Sequence, residues 1–172
     1  MELNRLKQMV EQDFEFLRRL GLRLERLEPG RVILALPRSG NENHMGGIWA
    51  GALFTLAELP GGILVYSAVD ETRFVPLVKE MTIRFVTPAR SDVTIDLSLS
   101  PEEIHTLARQ AEEEGYAEFT LVGEVRDREG EVVVISTGQY RIQRLAVAPC
   151  PGHWRASGFW ICRDCFPAPS AP

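Results

Sequence analysis

Apolar residues follow two different periods along this chain, and each change of period marks an element. From 3 to 20, Leu3, Leu6, Met9, Val10, Phe14, Leu17 and Leu20 stand at helical spacing with charges between them, and Gly21 ends the run. The pattern predicts an amphipathic leading helix lying on one edge or face of the domain. L-R-L-E-R-L and R-V-I-L-A-L then alternate on either side of Pro29-Gly30, which predicts a hairpin.

The run from Met45 to Val69 has neither alternation nor a polar face, and its one charged side chain is Glu58. Such a segment reads as a helix buried on all sides. Pro60, two residues after Glu58, is expected to kink or interrupt it, because proline removes a hydrogen bond and clashes with the preceding turn.

After this helix the period returns to two. V-P-L-V-K-E-M-T-I-R-F-V-T-P-A reads as a long strand, with Leu77, Lys79, Met81, Ile83 and Phe85 on one face and Glu80, Thr82 and Arg84 on the other. Val93, Ile95, Leu97 and Leu99 alternate as the next strand. Ser100-Pro101-Glu102-Glu103 has the residues of a capping box with proline at the first helical position, so a short helix should follow, ending near Gly115. His105 lies off its apolar side and receives no role. Two further strands flank a polar turn at Asp127 to Gly130. The order is helix, two strands, buried helix, two strands, inserted helix, two strands. It describes an α+β domain in which an antiparallel sheet wraps round one long apolar helix.

From Ala146 the composition changes to Pro, Gly, Cys, Trp and Phe, which places a domain boundary near Arg144: residues 1–144 form the main domain and 145–172 a tail. The tail holds all three cysteines, as Cys150-x2-His153 and Cys162-x2-Cys165. Two close pairs of soft ligands suit tetrahedral zinc, and four protein ligands would make that site structural. An aromatic-rich extension with incidental thiols is the other reading.

Composition narrows the function. At 172 residues and net charge -5, with pI near 5.3, the chain has no basic stripe for nucleic acid. No apolar run reaches the length of a membrane span without interruption by Glu58, Pro60 or paired glycines, so no membrane span is expected. The start M-E-L-N-R-L-K does not resemble a signal peptide, and the expected compartment is the cytoplasm.

Candidate chemistry lies in N-H-M-G-G-I-W-A-G-A-L-F-T-L-A-E, residues 43–58. Glycines 46, 47 and 51 let a loop deliver backbone N–H groups at a helix start, where a polarised oxygen can bind. An ionised carboxylate in an apolar helix is costly without a partner, which makes Glu58 the leading catalytic candidate. His44 is either a loop-capping residue or a second acid–base group.

W-A-G-A-L-F-T-L-A-E resembles the helix-start motif of hotdog-fold acyl-CoA thioesterases, in particular the phenylacetyl-CoA thioesterase-like branch. In that branch an Asn-containing loop leads to His-Gly-Gly and then a Leu-x-Asp/Glu. The resemblance covers residues 20–143 and matches Asn43, Gly51 and Glu58 to the loop Asn, the second glycine and the helix carboxylate. Trp49 stands at the position of the family His, and Ala50 at the first glycine. The resemblance implies a hotdog fold and hydrolysis of an acyl-CoA or acyl-carrier thioester. Glu58 would be general base or nucleophile, the Gly51 N–H an oxyanion donor, and Asn43 a positioning group. It further implies a homodimer or homotetramer that pairs sheets edge to edge and builds each site from the loop of one subunit and the helix of the other, with no cofactor for catalysis. Leu53, Phe54 and Leu56 would line an acyl tunnel or are plain core, and Arg84 and Arg90 are candidates for CoA phosphates. Two other functions stay open: an acyl-thioester-binding module without hydrolysis, and a dehydratase using His44 with Glu58.

Overall fold

The computed structural model describes residues 3–145. Its elements are α1 (Leu3–Gln8), a π-helical turn (Met9–Asp13), α2 (Glu15–Leu20), β1 (Arg23–Glu28), β2 (Arg31–Leu36), α3 (Ala50–Ala68), β3 (Phe74–Phe85), β4 (Val93–Ser98), α4 (Pro101–Glu114), β5 (Tyr116–Asp127) and β6 (Val132–Arg144). The strands form one antiparallel sheet in the order β1-β2-β4-β5-β6-β3. With α3 buried against one face, this is the expected α+β hotdog arrangement.

The leading helix is not continuous. A π-helical turn and an extended Phe14 (φ -86, ψ 102) divide it, while Leu6, Val10 and Leu17 still face the core. Within the π turn Glu11 accepts the Leu24 N–H of β1 at 2.9 Å, a tertiary contact that local periodicity does not encode. Gly21 ends α2 in the left-handed region at φ 68. Ser100 and Glu103 form the capping box that starts α4.

α3 runs through Pro60 without interruption. Pro60-Gly61-Gly62 is a poor helical triplet: proline costs about 3 kcal/mol and each glycine about 1 kcal/mol relative to alanine. Burial offsets this, because Ala52, Leu53, Leu56, Ala57, Ile63 and Leu64 all lie in the core, and a fully buried Leu or Ile side chain contributes about 1.5–3 kcal/mol. By length and composition α3 could cross a membrane, yet 56% of its most apolar window is buried inside the fold, in keeping with the expectation of no membrane span. It is the core helix.

The expected face assignment of β3 needs one correction. Leu77 pairs with Arg141 but Met81 pairs with Gly138, with a register shift between Val78 and Glu80. Paired residues share a face, and positions 138 and 141 of β6 lie on opposite faces. Leu77 and Lys79 therefore lie away from α3, where Lys79 meets Glu118 of β5 at 2.7 Å. Met81, Ile83 and Phe85 remain on the α3 side.

Candidate active site at the start of the central helix

The loop before α3 is held by asparagines. Asn41, 7% exposed, donates through Nδ2 to the carbonyls of Leu20 (2.8 Å) and Pro37 (2.9 Å), and its own carbonyl accepts the Trp49 N–H at 2.7 Å. Asn43 Oδ1 accepts from the N–H groups of Met45 (2.8 Å) and Gly47 (3.2 Å), while Nδ2 donates to the Ile48 carbonyl at 3.3 Å. Its side chain thus shapes the loop itself. The Ile48 N–H donates to the Ala89 carbonyl at 2.8 Å, which ties the loop to the segment after β3. Gly46 adopts φ 76, a conformation natural to glycine.

Trp49 is the N-cap of α3 and has no side-chain acceptor for the first turn. The N–H groups of Ala50 and Gly51 accordingly lack intramolecular acceptors among the described residues. The Trp49 ring folds over Gly51, where an added Cβ would come within 2.3 Å of it. A side chain at position 51 would force the exposed indole to swing aside.

Glu58 follows Gly51 by seven residues. At about 100° per residue this is about 20° short of two full turns, so both lie on one side of α3. Helical side chains lean toward the N-terminus, which tilts the carboxylate back toward the open N–H groups. Glu58 is half-buried, and among the described residues its carboxylate has no hydrogen-bond or ion-pair partner. Burial raises its pKa above the ordinary 4.5. Its backbone carbonyl accepts the Tyr140 hydroxyl at 2.9 Å.

Periodicity pointed to Glu58 and Gly51 on the same helix, and the fold places them on one face. The Ala50 N–H, the Trp49 ring and Tyr140 were not found that way. The helix boundary decides the first, and contacts between residues not near in sequence decide the third. Leu53 (4% exposed) and Leu56 (0%) are core, which leaves Phe54, exposed, as the only tunnel candidate of the three on the surface. Arg84 pairs with Ile135, on the sheet face away from α3. Arg90 is exposed and follows the carbonyl that anchors the loop. His44 is exposed on the loop, with no hydrogen bond or ion pair to Glu58 among the described residues. Cys150, His153, Cys162 and Cys165 lie outside the described residues, and among those described no group of three or more His, Cys, Asp or Glu could hold a metal. Concavities of about 410 and 370 Å³ lie along β4, α4 and β5, and neither is lined by Glu58 or the start of α3.

Residues 4–142 match a family model described as a domain of unknown function, DUF4442. No curated protein matches the chain. Among solved structures, a Pseudomonas aeruginosa protein of unknown function described as a probable thioesterase is 45% identical, with 84% of this chain and 97% of that one covered and a TM-score of 0.80. A putative thioesterase from Shewanella oneidensis (18% identity, 82% and 96% covered, TM-score 0.69) shares the fold. So does a Haemophilus influenzae thioesterase (15% identity, 87% and 96% covered, TM-score 0.65). With this fold and a family match spanning nearly the whole described region, the chain belongs to DUF4442, a thioesterase-like family of the hotdog fold.

Proposed function

We propose that the protein hydrolyses acyl-CoA or acyl-carrier thioesters. The observation that carries this is an unpartnered, half-buried carboxylate on the same helix face as a helix start with open N–H groups. The thioester carbonyl oxygen sits at the N–H groups of Ala50 and Gly51, which stabilise the negative charge that develops on it. Ionised Glu58 accepts a proton from water as the water oxygen bonds to the carbonyl carbon. Collapse of the tetrahedral intermediate breaks the C–S bond, and the proton held by Glu58 passes to the leaving thiolate. Direct attack by the Glu58 carboxylate, which breaks the C–S bond, releases the thiolate to take a proton from solvent and leaves a mixed anhydride that water then cleaves, is the variant of this scheme. Asn43 holds the loop in the shape that presents the helix start, and Arg90 is the better placed of the two arginines for a CoA phosphate.

The functional unit is a homodimer or homotetramer. β3 is a sheet edge, and Val78, Phe85 and Val86 are 45–50% exposed on and just after it. A second copy paired there would cover apolar surface beside the exposed face of α3.

One observation favours an acyl-thioester-binding module without hydrolysis: the Trp49 ring crowds the helix start where the family His stands. Thiol release from short, long and aromatic acyl-CoAs, by wild type beside Glu58→Gln, decides between them. Turnover lost in the folded variant supports hydrolysis. No turnover by wild type, together with tight binding of a non-hydrolysable analogue, supports the binding module. The tail is proposed to hold one structural zinc through Cys150, His153, Cys162 and Cys165. Zinc below about half an equivalent after refolding with metal would refute that, since a closed four-ligand site retains its ion.

A further inference from the structure

We infer that Tyr140 is a positioning residue that holds the turn of α3 bearing Glu58, an inference that rests on the thioesterase reading of that site. Three residues after Glu58 disfavour a helix in succession: Pro60, Gly61 and Gly62. Pro60 has no N–H for the Leu56 carbonyl, and its ring crowds the same turn. The two glycines add backbone freedom. Left to its own hydrogen bonds, this is the weakest turn of the helix, and it directly follows the carboxylate.

Tyr140 reaches this turn from β6. Its hydroxyl donates to the Glu58 carbonyl at 2.9 Å. Its ring lies in a slot that only glycines permit: an added Cβ at Gly61 would come within 2.2 Å of it, and one at Gly138 within 2.5 Å. Phe119 of β5 stacks against the other side, with centroids 5.5 Å apart and planes at 22°. Tyr140 is 2% exposed, so the donor side of the bond is buried. Two glycines and one stacked aromatic therefore aim a single hydroxyl at the backbone of the residue proposed to do the chemistry. Gly61 both weakens the helix and admits the group that secures it. Burial, and after it the Glu58 charge, push the phenol well above its usual pKa, so it stays a donor.

The test is Tyr140→Phe in the full chain, which removes one oxygen and keeps the ring. The expected result on the best acyl-CoA substrate is a fall in kcat of about tenfold with KM within about twofold, because a loosened base weakens the chemical step more than binding. Hydrogen exchange in residues 61–64 should rise about tenfold while β5 and β6 keep their protection. Unchanged kcat and unchanged exchange, in a background where wild type is active and Glu58→Gln is not, would overturn the clamp. So would a uniform rise in exchange, which marks a merely structural role. If wild type hydrolyses neither acyl-CoA nor acyl-carrier thioesters, the thioesterase reading fails while the exchange measurement still judges the clamp. Should the variant not fold, wild type decides: amides 61–64 exchanging as fast as the loop at 43–47 would overturn the inference.

Discussion

The two edges of the sheet are built differently. β1 has six residues and a bulge between Leu24 and Arg26, and it carries the ion pairs Arg23–Glu25 (3.0 Å) and Arg26–Glu28 (2.9 Å). Glu11 of the π turn takes the Leu24 N–H. Short length, charge pairs along the strand and a covered N–H keep an edge from pairing with another chain, whereas the bulge is common to both edges. β3 has twelve residues and a more apolar border, with Val78 and Phe85 exposed. One edge is closed and the other is available. The available one lies beside α3, whose outward positions include Phe54 and Glu58. A second copy pairing along β3, as proposed, would lie beside the helix that carries the candidate site.

The largest expected effect lies at that site. Glu58→Gln should lower kcat by about 10²–10⁴, the usual contribution of a general base, and raise Tm. Burial raises the Glu58 pKa, so the folded state binds this proton more tightly than the unfolded chain. The stability it contributes is therefore present at low pH and lost as pH rises through the folded value. At neutral pH the ionised group opposes folding, and glutamine relieves it. A lower Tm in a thermal melt at pH 7 would refute this account of the carboxylate.

Next comes the open edge. Lysine at both Val78 and Phe85 should weaken self-association about 30-fold or more, equivalent to about 2 kcal/mol, and lower activity with it. Light scattering across a concentration series checks the first and thiol release the second. An assembly unmoved by these changes would break the contrast between the edges.

At the closed edge, Glu11→Ala should cost about 1–3 kcal/mol by leaving the Leu24 N–H without its charged acceptor. That is a fall of about 2–4 °C in Tm for each kcal/mol. Activity should persist while the tendency to associate through β1 rises. The smallest effect is in the pH profile. The acid limb of kcat/KM should fall above pH 4.5, since the base must be ionised and burial holds it protonated longer. A limb at or below that value would remove Glu58 as the base.

Local features of this chain were open to reading because their causes are local. The hairpin at Pro29-Gly30, the Ser100–Glu103 cap, the alternation of β4 to β6 and the buried character of α3 each follow from neighbouring side chains. Glu58 was legible for the same reason, as a single charge in an apolar run. The proposed role of Asn43 in positioning substrate rests on the motif alone, whereas its hydrogen bonds within the loop come from the fold.

What the sequence determined by itself was the succession of elements, the identity of the core helix and the carboxylate it carries, since hydrophobic period, caps and turn residues act over a few positions. Only the tertiary structure decided which edge stays open, the bulge that sends Leu77 and Lys79 away from α3, the break in the leading helix and the reach of Tyr140 to Glu58. Those depend on which distant segments meet. A hydrogen bond between residues 82 positions apart leaves no periodic trace in either segment, because its energy is gained only after the sheet has closed on the helix.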